Sequence, residues 1–176
     1  MIDRFSTHAR QALAAAEREA RSLNHAHIGT EHVLLGLLRV EESVAAQALR
    51  LLGVTYRKAR RRITALVDTG PAKPAAPAFT ARVREVLEDA FTGSVWLRQL
   101  GAGEGDPALR AGHSIGRPFE VRSEQVLLAL VAHGEGVAWR VLADLGVDVE
   151  KAAAAAMHAR FPAAVRELFA PWPRVD

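Results

Sequence analysis

The stretch Gly29-Thr30-Glu31-His32-Val33-Leu34-Leu35-Gly36-Leu37-Leu38 decides how this chain is read, because the chain contains it twice. The second copy is Arg122-Ser123-Glu124-Gln125-Val126-Leu127-Leu128-Ala129-Leu130-Val131. Extended without a gap, residues 30–54 and 123–147 agree at 12 of 25 positions, and both run into the same dipeptide, Gly53-Val54 and Gly146-Val147. A repeat of this length predicts one supersecondary unit that hides its apolar face against its own copy. The functional question is what a duplicated helical unit does with a Glu at the start of one helix.

Upstream, Ala9, Leu13, Ala16, Ala20 and Leu23 recur at helical spacing, and Ser6 is placed to accept a backbone N–H as N-cap. Thr30 reads as the N-cap of a second helix, with Val33, Leu34, Leu37 and Leu38 on its core face and Glu31 in its first turn, near the positive end of the helix dipole. Ser43 caps a third helix that Gly53 ends in the left-handed conformation. Thr55 opens a fourth, with Ala59, Ile63 and Leu66 inward and Arg57, Lys58, Arg60, Arg61 and Arg62 on the remaining surface. Pro71, Pro74 and Pro77 then forbid helix, which makes residues 70–78 a linker.

Beyond the linker, Phe79-Thr80-Ala81-Arg82-Val83-Arg84 replays Phe5-Ser6-Thr7-His8-Ala9-Arg10 at an offset of 74 residues, whereas the Glu31/Glu124 helices are 93 apart. The second unit therefore carries about nineteen extra residues within 92–121, a glycine-rich region suited to an irregular surface excursion. Residues 123–133, 137–145 and 148–159 repeat the second, third and fourth helices, and Pro162 closes the last. The expected fold is all-α, a tandem of two four-helix units related by a pseudo-twofold. The units are residues 1–69 and 79–160, followed by a tail at 161–176, in one domain.

Composition narrows the chemistry. With 49% apolar and 24% charged residues the chain reads as a soluble globular protein. It shows no apolar run long enough to span a membrane and no signal pattern, so a cytoplasmic location is expected. The absence of Cys excludes disulfides, thiolate metal sites and a Cys nucleophile. Of 23 basic residues only Lys58, Lys73 and Lys151 are Lys, and the net charge is a mild +3. That balance makes nucleic-acid binding through Arg57–Arg62 the weaker reading, a solvated helix face being the plainer one. His25, His27 and His32 lack the i, i+4 spacing of a helical zinc motif. His25, like His113, suits hydrogen bonds that tie its loop to helix ends.

No Ser-His-Asp set is legible, since Ser43, Ser94 and Ser114 read as caps or loop. Trp96 and Trp139 read as packing residues, as do Leu34, Leu35, Leu37, Leu127, Leu128 and Leu130. No catalytic residue, cofactor or metal ligand is assigned.

The pattern resembles the Clp N-terminal (Clp R) repeat domain at the front of AAA+ unfoldases, the ClpC type most closely. The likeness rests on Arg4-Phe5-Ser6 with Ala9-Arg10, on Leu23-Asn24-His25 and Ile28-Gly29-Thr30-Glu31-His32-Val33-Leu34-Leu35-Gly36-Leu37, and on Val44-Ala45-Ala46 with Leu52-Gly53-Val54. In the second half it rests on Phe79-Thr80, Gly112-His113, Glu135-Gly136-Val137-Ala138 and Leu145-Gly146-Val147, and it covers roughly residues 2–160. No G-x-x-x-x-G-K-[ST] phosphate loop is present, so the likeness is to the substrate-receiving domain without the ATPase modules. The resemblance implies a stand-alone module.

The resemblance implies a docking platform in protein quality control for adaptors of the Clp protease system and for proteins marked with phosphoarginine. A decoy that competes with a full Clp unfoldase for its partners or for toxic ligands is the alternative. Each repeat is then expected to offer one pocket, in which a helix N-terminus receives phosphate and the helix-start Glu receives guanidinium. Carried over residue by residue, Ser6 with Glu31 makes one pocket and Thr80 with Glu124 the other. In the second, Arg122 replaces the family's Gly before the cap.

Overall fold

The computed structural model describes residues 2–68, 70, 76–101 and 120–160. Most of the linker, residues 102–119 of the insert, His113, the Trp96 side chain and the tail lie outside the described residues, while residues 92–101, expected to be irregular, are helical instead. A 3-10 turn at Ile2–Arg4 leads into α1 (Thr7–Ser22), a two-residue strand β1 (His27–Ile28), α2 (Thr30–Arg39), α3 (Val44–Leu51) and α4 (Tyr56–Leu66). The second copy follows as β2 (Ala78–Phe79), α5 (Ala81–Gly101), α6 (Ser123–Ala132), α7 (Gly136–Asp144) and α8 (Val149–Arg160). The fold is all-α. No single helix among the described residues is long and apolar enough to cross a membrane.

The leucines of the duplicated stretch are core: Leu34, Leu35, Leu37 and Leu127 are fully buried, and they share one apolar cluster with residues of both repeats. Helix α1 lies on α2 as α5 lies on α6. Gly36 permits the close α1/α2 crossing, because a Cβ there would strike the Ala12 carbonyl and come 2.8 Å from the Ala16 nitrogen. The third and fourth helices reach across instead, α4 onto α7 and α3 onto α8.

Backbone pairing shows the same exchange. Ile28 pairs with Phe79 in the parallel β1/β2 ladder, while Phe5 bridges Val121 in parallel. Since Phe79 is the copy of Phe5 and Val121 the copy of Ile28, each repeat gives the lead-in of its first helix to the lead-in of the other's second. Periodicity could not predict these strands, because two residues carry no alternation.

The helix starts correct one expectation. Thr30 is not the N-cap of α2 but its first residue, and Gly29 holds the cap position. The Thr30 hydroxyl instead accepts from the Ala138 N–H of α7, 3.3 Å away, as the Ser123 hydroxyl accepts from the Ala45 N–H of α3 at 3.4 Å. A hydroxyl is present in both copies because it caps a helix of the opposite repeat. Ser6, Ser43 and Thr55 cap their own helices as expected, and Gly53 and Gly146 take positive φ at the equivalent helix ends.

Candidate functional site at the exchanged helix starts

The cap hydroxyls of α2 and α6 are turned away to the opposite repeat, and at each helix start the Glu carboxylate takes its own backbone N–H. The Glu31 side chain is 12% exposed, and its carboxylate folds back over Gly29, where a Cβ would collide with Glu31 Oε1. Burial pushes its carboxyl up from the usual range, against a hydrogen bond from its own backbone N–H and the nearby His25, which pull it down. Glu124 is 7% exposed and likewise raised by burial, opposed by its own N–H, by Arg122, by the Ser123 hydroxyl at 3.3 Å and by His8. Carboxylates left in such surroundings cost stability, so the fold carries the same unfavourable feature at two equivalent places.

The strand exchange overturns the expected pairing within each repeat. The Ser6 N–H bonds the Val121 carbonyl at 2.9 Å, which sets the start of α1 beside the segment entering Glu124. The Thr80 N–H bonds the Ile28 carbonyl at 3.1 Å, which sets the start of α5 beside the segment entering Glu31. The backbone therefore sets Ser6 beside the segment that leads to Glu124, and Thr80 beside the segment that leads to Glu31, across the repeats rather than within them. Each hydroxyl caps its own helix, Ser6 Oγ accepting from Ala9 N–H at 3.3 Å and Thr80 Oγ1 from Val83 N–H at 3.2 Å. Sequence reading missed the basic side chain that comes with each start. His8 acts on Glu124, and Arg82, the copy of His8, passes close to Thr30 on its way to a 2.7 Å ion pair with Glu135.

The site base is fixed differently in the two copies. In α6 the Gln125 carbonyl reaches back to accept from the Arg122 N–H at 2.7 Å. In α2 the equivalent residue, His32, does this through Nδ1, accepting from Gly29 N–H at 2.8 Å. Its Nε2–H then donates to His25 Nδ1 at 2.9 Å, and His25 Nε2–H donates to the Asp68 carbonyl at 2.8 Å. The relay assigns both tautomers and keeps His32 neutral. Burial, then His25, lowers its pKa to about 4. The 3.3 Å approach of Glu31 Oε1 to His32 Nδ1 is therefore not an ion pair, because that nitrogen carries no proton. His25 ties its loop to the α2 start and the α4 exit, as expected for it.

His25, Glu31 and His32 also place one potential ligand atom each within 4.8 Å of one another, a proximity the linear spacing hides. All four ring nitrogens are already engaged, so a cation held there would have to break the His32–His25 bond and displace its proton.

The arrangement is an all-α double repeat with a largely buried carboxylate at the start of the second helix of each copy. The pattern described as Clp repeat (R) N-terminal domain matches residues 4–94, and the chain belongs to this family. It is 38% identical over 152 residues to the negative regulator of genetic competence ClpC/MecB of Bacillus subtilis, and 39% identical over 152 residues to the chaperone protein ClpB of Oceanobacillus iheyensis. Each match covers 86% of this chain and 16% of the relative, so the chain spans about a sixth of the length of these relatives. Among solved structures, the N-terminal domain of the chaperone ClpD from Arabidopsis thaliana superposes with a TM-score of 0.65 at 24% identity, covering 89% of this chain and 97% of that one. A ClpV N-domain in complex with a VipB peptide superposes at 0.57 with 19% identity, covering 97% and 92%.

Replacing Gly29 tests how the Glu31 pocket is shaped. Its φ of −91° suits any residue, so Gly29→Ala is expected to leave the helix intact while driving the carboxylate out of its fold-back. Thermal melting should change little, and the Glu31 carboxyl, moved towards water, should titrate nearer its ordinary range when followed by NMR.

Proposed function

We propose that this domain is a non-catalytic recognition module of protein quality control, located in the cytoplasm, that takes arginine-phosphorylated segments of marked proteins or adaptors into the Ser6/Glu124 and Thr80/Glu31 pockets. The observation that carries the reading is the twofold placement of a largely buried, burial-destabilised carboxylate at a helix start that lies beside the start of another helix. The guanidinium would meet the carboxylate through two parallel N–H donors, and the phosphate would meet the N-terminal amides of α1 or α5 with His8 or Arg82 beside them.

Calorimetry with free phosphoarginine decides it. Wild type is expected to bind, and Glu31→Gln with Glu124→Gln to lose about ten- to a hundred-fold in affinity. Absence of binding heat with wild type overturns the proposal.

The raised carboxyl of Glu31 gives two further outcomes of opposite sign. Its folded-state pKa lies above the unfolded value, so at neutral pH the ionised group costs stability, and the cost is relieved as pH falls through the folded pKa. Glu31→Gln should therefore raise Tm at pH 7, with the gain shrinking on acidification. Guanidinium binding needs the ionised form, so phosphoarginine affinity should fall over the same acid range.

A further inference from the structure

Helix α4 carries Arg57, Lys58, Arg60, Arg61 and Arg62 and no acidic residue. Two of the five serve the fold. Arg60 reaches inward to Glu19 at 2.6 Å, and Lys58 Nζ donates to the Gly53 carbonyl at 2.9 Å. Lys151, the copy of Lys58, makes the same bond to the Gly146 carbonyl at 2.7 Å, which marks that lysine as structural. Arg57, Arg61 and Arg62 are exposed and form no ion pair among the described residues.

Local energetics oppose these three arginines. Arg57 sits in the first turn, where the helix dipole disfavours a cation, and Arg57/Arg61 and Lys58/Arg62 are like-charge pairs one turn apart. The second repeat supplies an internal control, because α8 occupies the equivalent place with Glu150, Ala154 and Ala155 at these positions. The helix therefore folds with an acidic first turn and with no cation at the other two positions, where Ala154 is half-buried and Ala155 buried.

We propose that the outer face of α4 docks an extended, acidic segment of a partner protein. Arg57 and Arg61 are about 6 Å apart along the helix axis, close to the roughly 6.7 Å between alternate side chains of an extended strand. Guanidinium forks fit carboxylates through two hydrogen bonds. A nucleic acid fits the face less well. The only aromatic ring on α4, Tyr56, lies under the Arg39 guanidinium at 4.0 Å with its hydroxyl on Glu19, leaving nothing to stack on bases. The excess charge is also confined to one helix of a chain with net charge +3. This surface rests on the reading of the domain as a recognition module but uses neither pocket.

Fluorescence anisotropy tests it with a labelled peptide of about twelve residues alternating Glu and Ser, its Gln-Ser analogue, and a short DNA duplex, at about 0.1 M salt. The variant Arg57→Glu/Arg61→Ala/Arg62→Ala transplants the residues of α8. Wild type is expected to bind the Glu peptide and not the Gln peptide. The triple variant should lose about ten-fold in affinity with Tm equal to or above wild type. Glu31→Gln/Glu124→Gln should bind the acidic peptide as wild type does, whatever its response to phosphoarginine. The proposal is overturned by equal binding of the triple variant, by equal binding of the Gln peptide, or by tighter binding of the duplex. It is also overturned by loss of binding in the Glu31/Glu124 variant, or by a lower Tm in the triple variant, which would give the arginines to the fold.

Discussion

Acidification from pH 7 to below 4 is expected to remove about 3 kcal/mol of stability through His32 alone, because its pKa falls from 6.5 unfolded to about 4 in the fold. The sign follows from which state takes the proton. The unfolded chain protonates His32 near 6.5, whereas the folded chain resists until about 4, so the contribution is fully present above 6.5 and is lost as pH falls through that window. The structural cause is that Nδ1 must stay unprotonated to accept from Gly29 N–H, while burial denies the imidazolium its water.

Gln125 does the same work in the other copy without titrating, so His32→Gln should preserve the back-bond and flatten the acid limb of a urea-unfolding series. Glu31 acts in the opposite direction over part of this range, and the comparison is cleanest in a Glu31→Gln background. An acid limb unchanged by His32→Gln would refute the assignment.

Glu19→Ala is the second large effect expected, a loss of about 2–3 kcal/mol and hence about 5–10 °C in Tm. Glu19 is 4% exposed yet charged, and three partners hold it: Arg39 Nε at 2.9 Å, Arg60 at 2.6 Å, and the Tyr56 hydroxyl at 3.0 Å. The network joins α1, α2 and α4 and has no equivalent in the second repeat, where residues 132, 149 and 153 are Ala132, Val149 and Ala153. Removing the carboxylate leaves two guanidiniums that are 53% and 34% exposed and can turn to water, which keeps the cost below that of a fully buried charge. Arg60→Ala should cost less than Glu19→Ala, because Arg39 and Tyr56 would still hold the carboxylate. Chemical denaturation of the two variants checks the order, and near-equal stability of Glu19→Ala and wild type would contradict it.

Much of the fold is legible in the chain because helices announce themselves locally. The apolar period of 30–54 and 123–147, the caps at Ser6, Ser43 and Thr55, and the stop at Gly53 each depend on neighbours within one or two turns. Glu19 shows where this fails: on an Ala-rich helix among Arg residues it looks like one more surface charge, and only the approach of α2 and α4 buries it. Trp139 fails in the other direction. It is read as a packing residue but remains 39% exposed, while its copy Ala46 is buried. At the candidate site, the sequence placed Ser6, Thr80, Glu31 and Glu124 at helix starts, whereas which starts lie side by side was not legible.

The sequence by itself determined that two helical units are stacked, where most helices begin, and that a carboxylate opens the second helix of each. Only the tertiary structure decided that the units exchange their ends, through Phe5 with Val121, Ile28 with Phe79, Thr30 with Ala138 and Ser123 with Ala45. The reason is range. Periodicity and capping record contacts within a few residues, but these pseudo-twofold contacts join residues 51 to 116 positions apart, and nothing local distinguishes a hydroxyl that caps its own helix from one that caps its neighbour's.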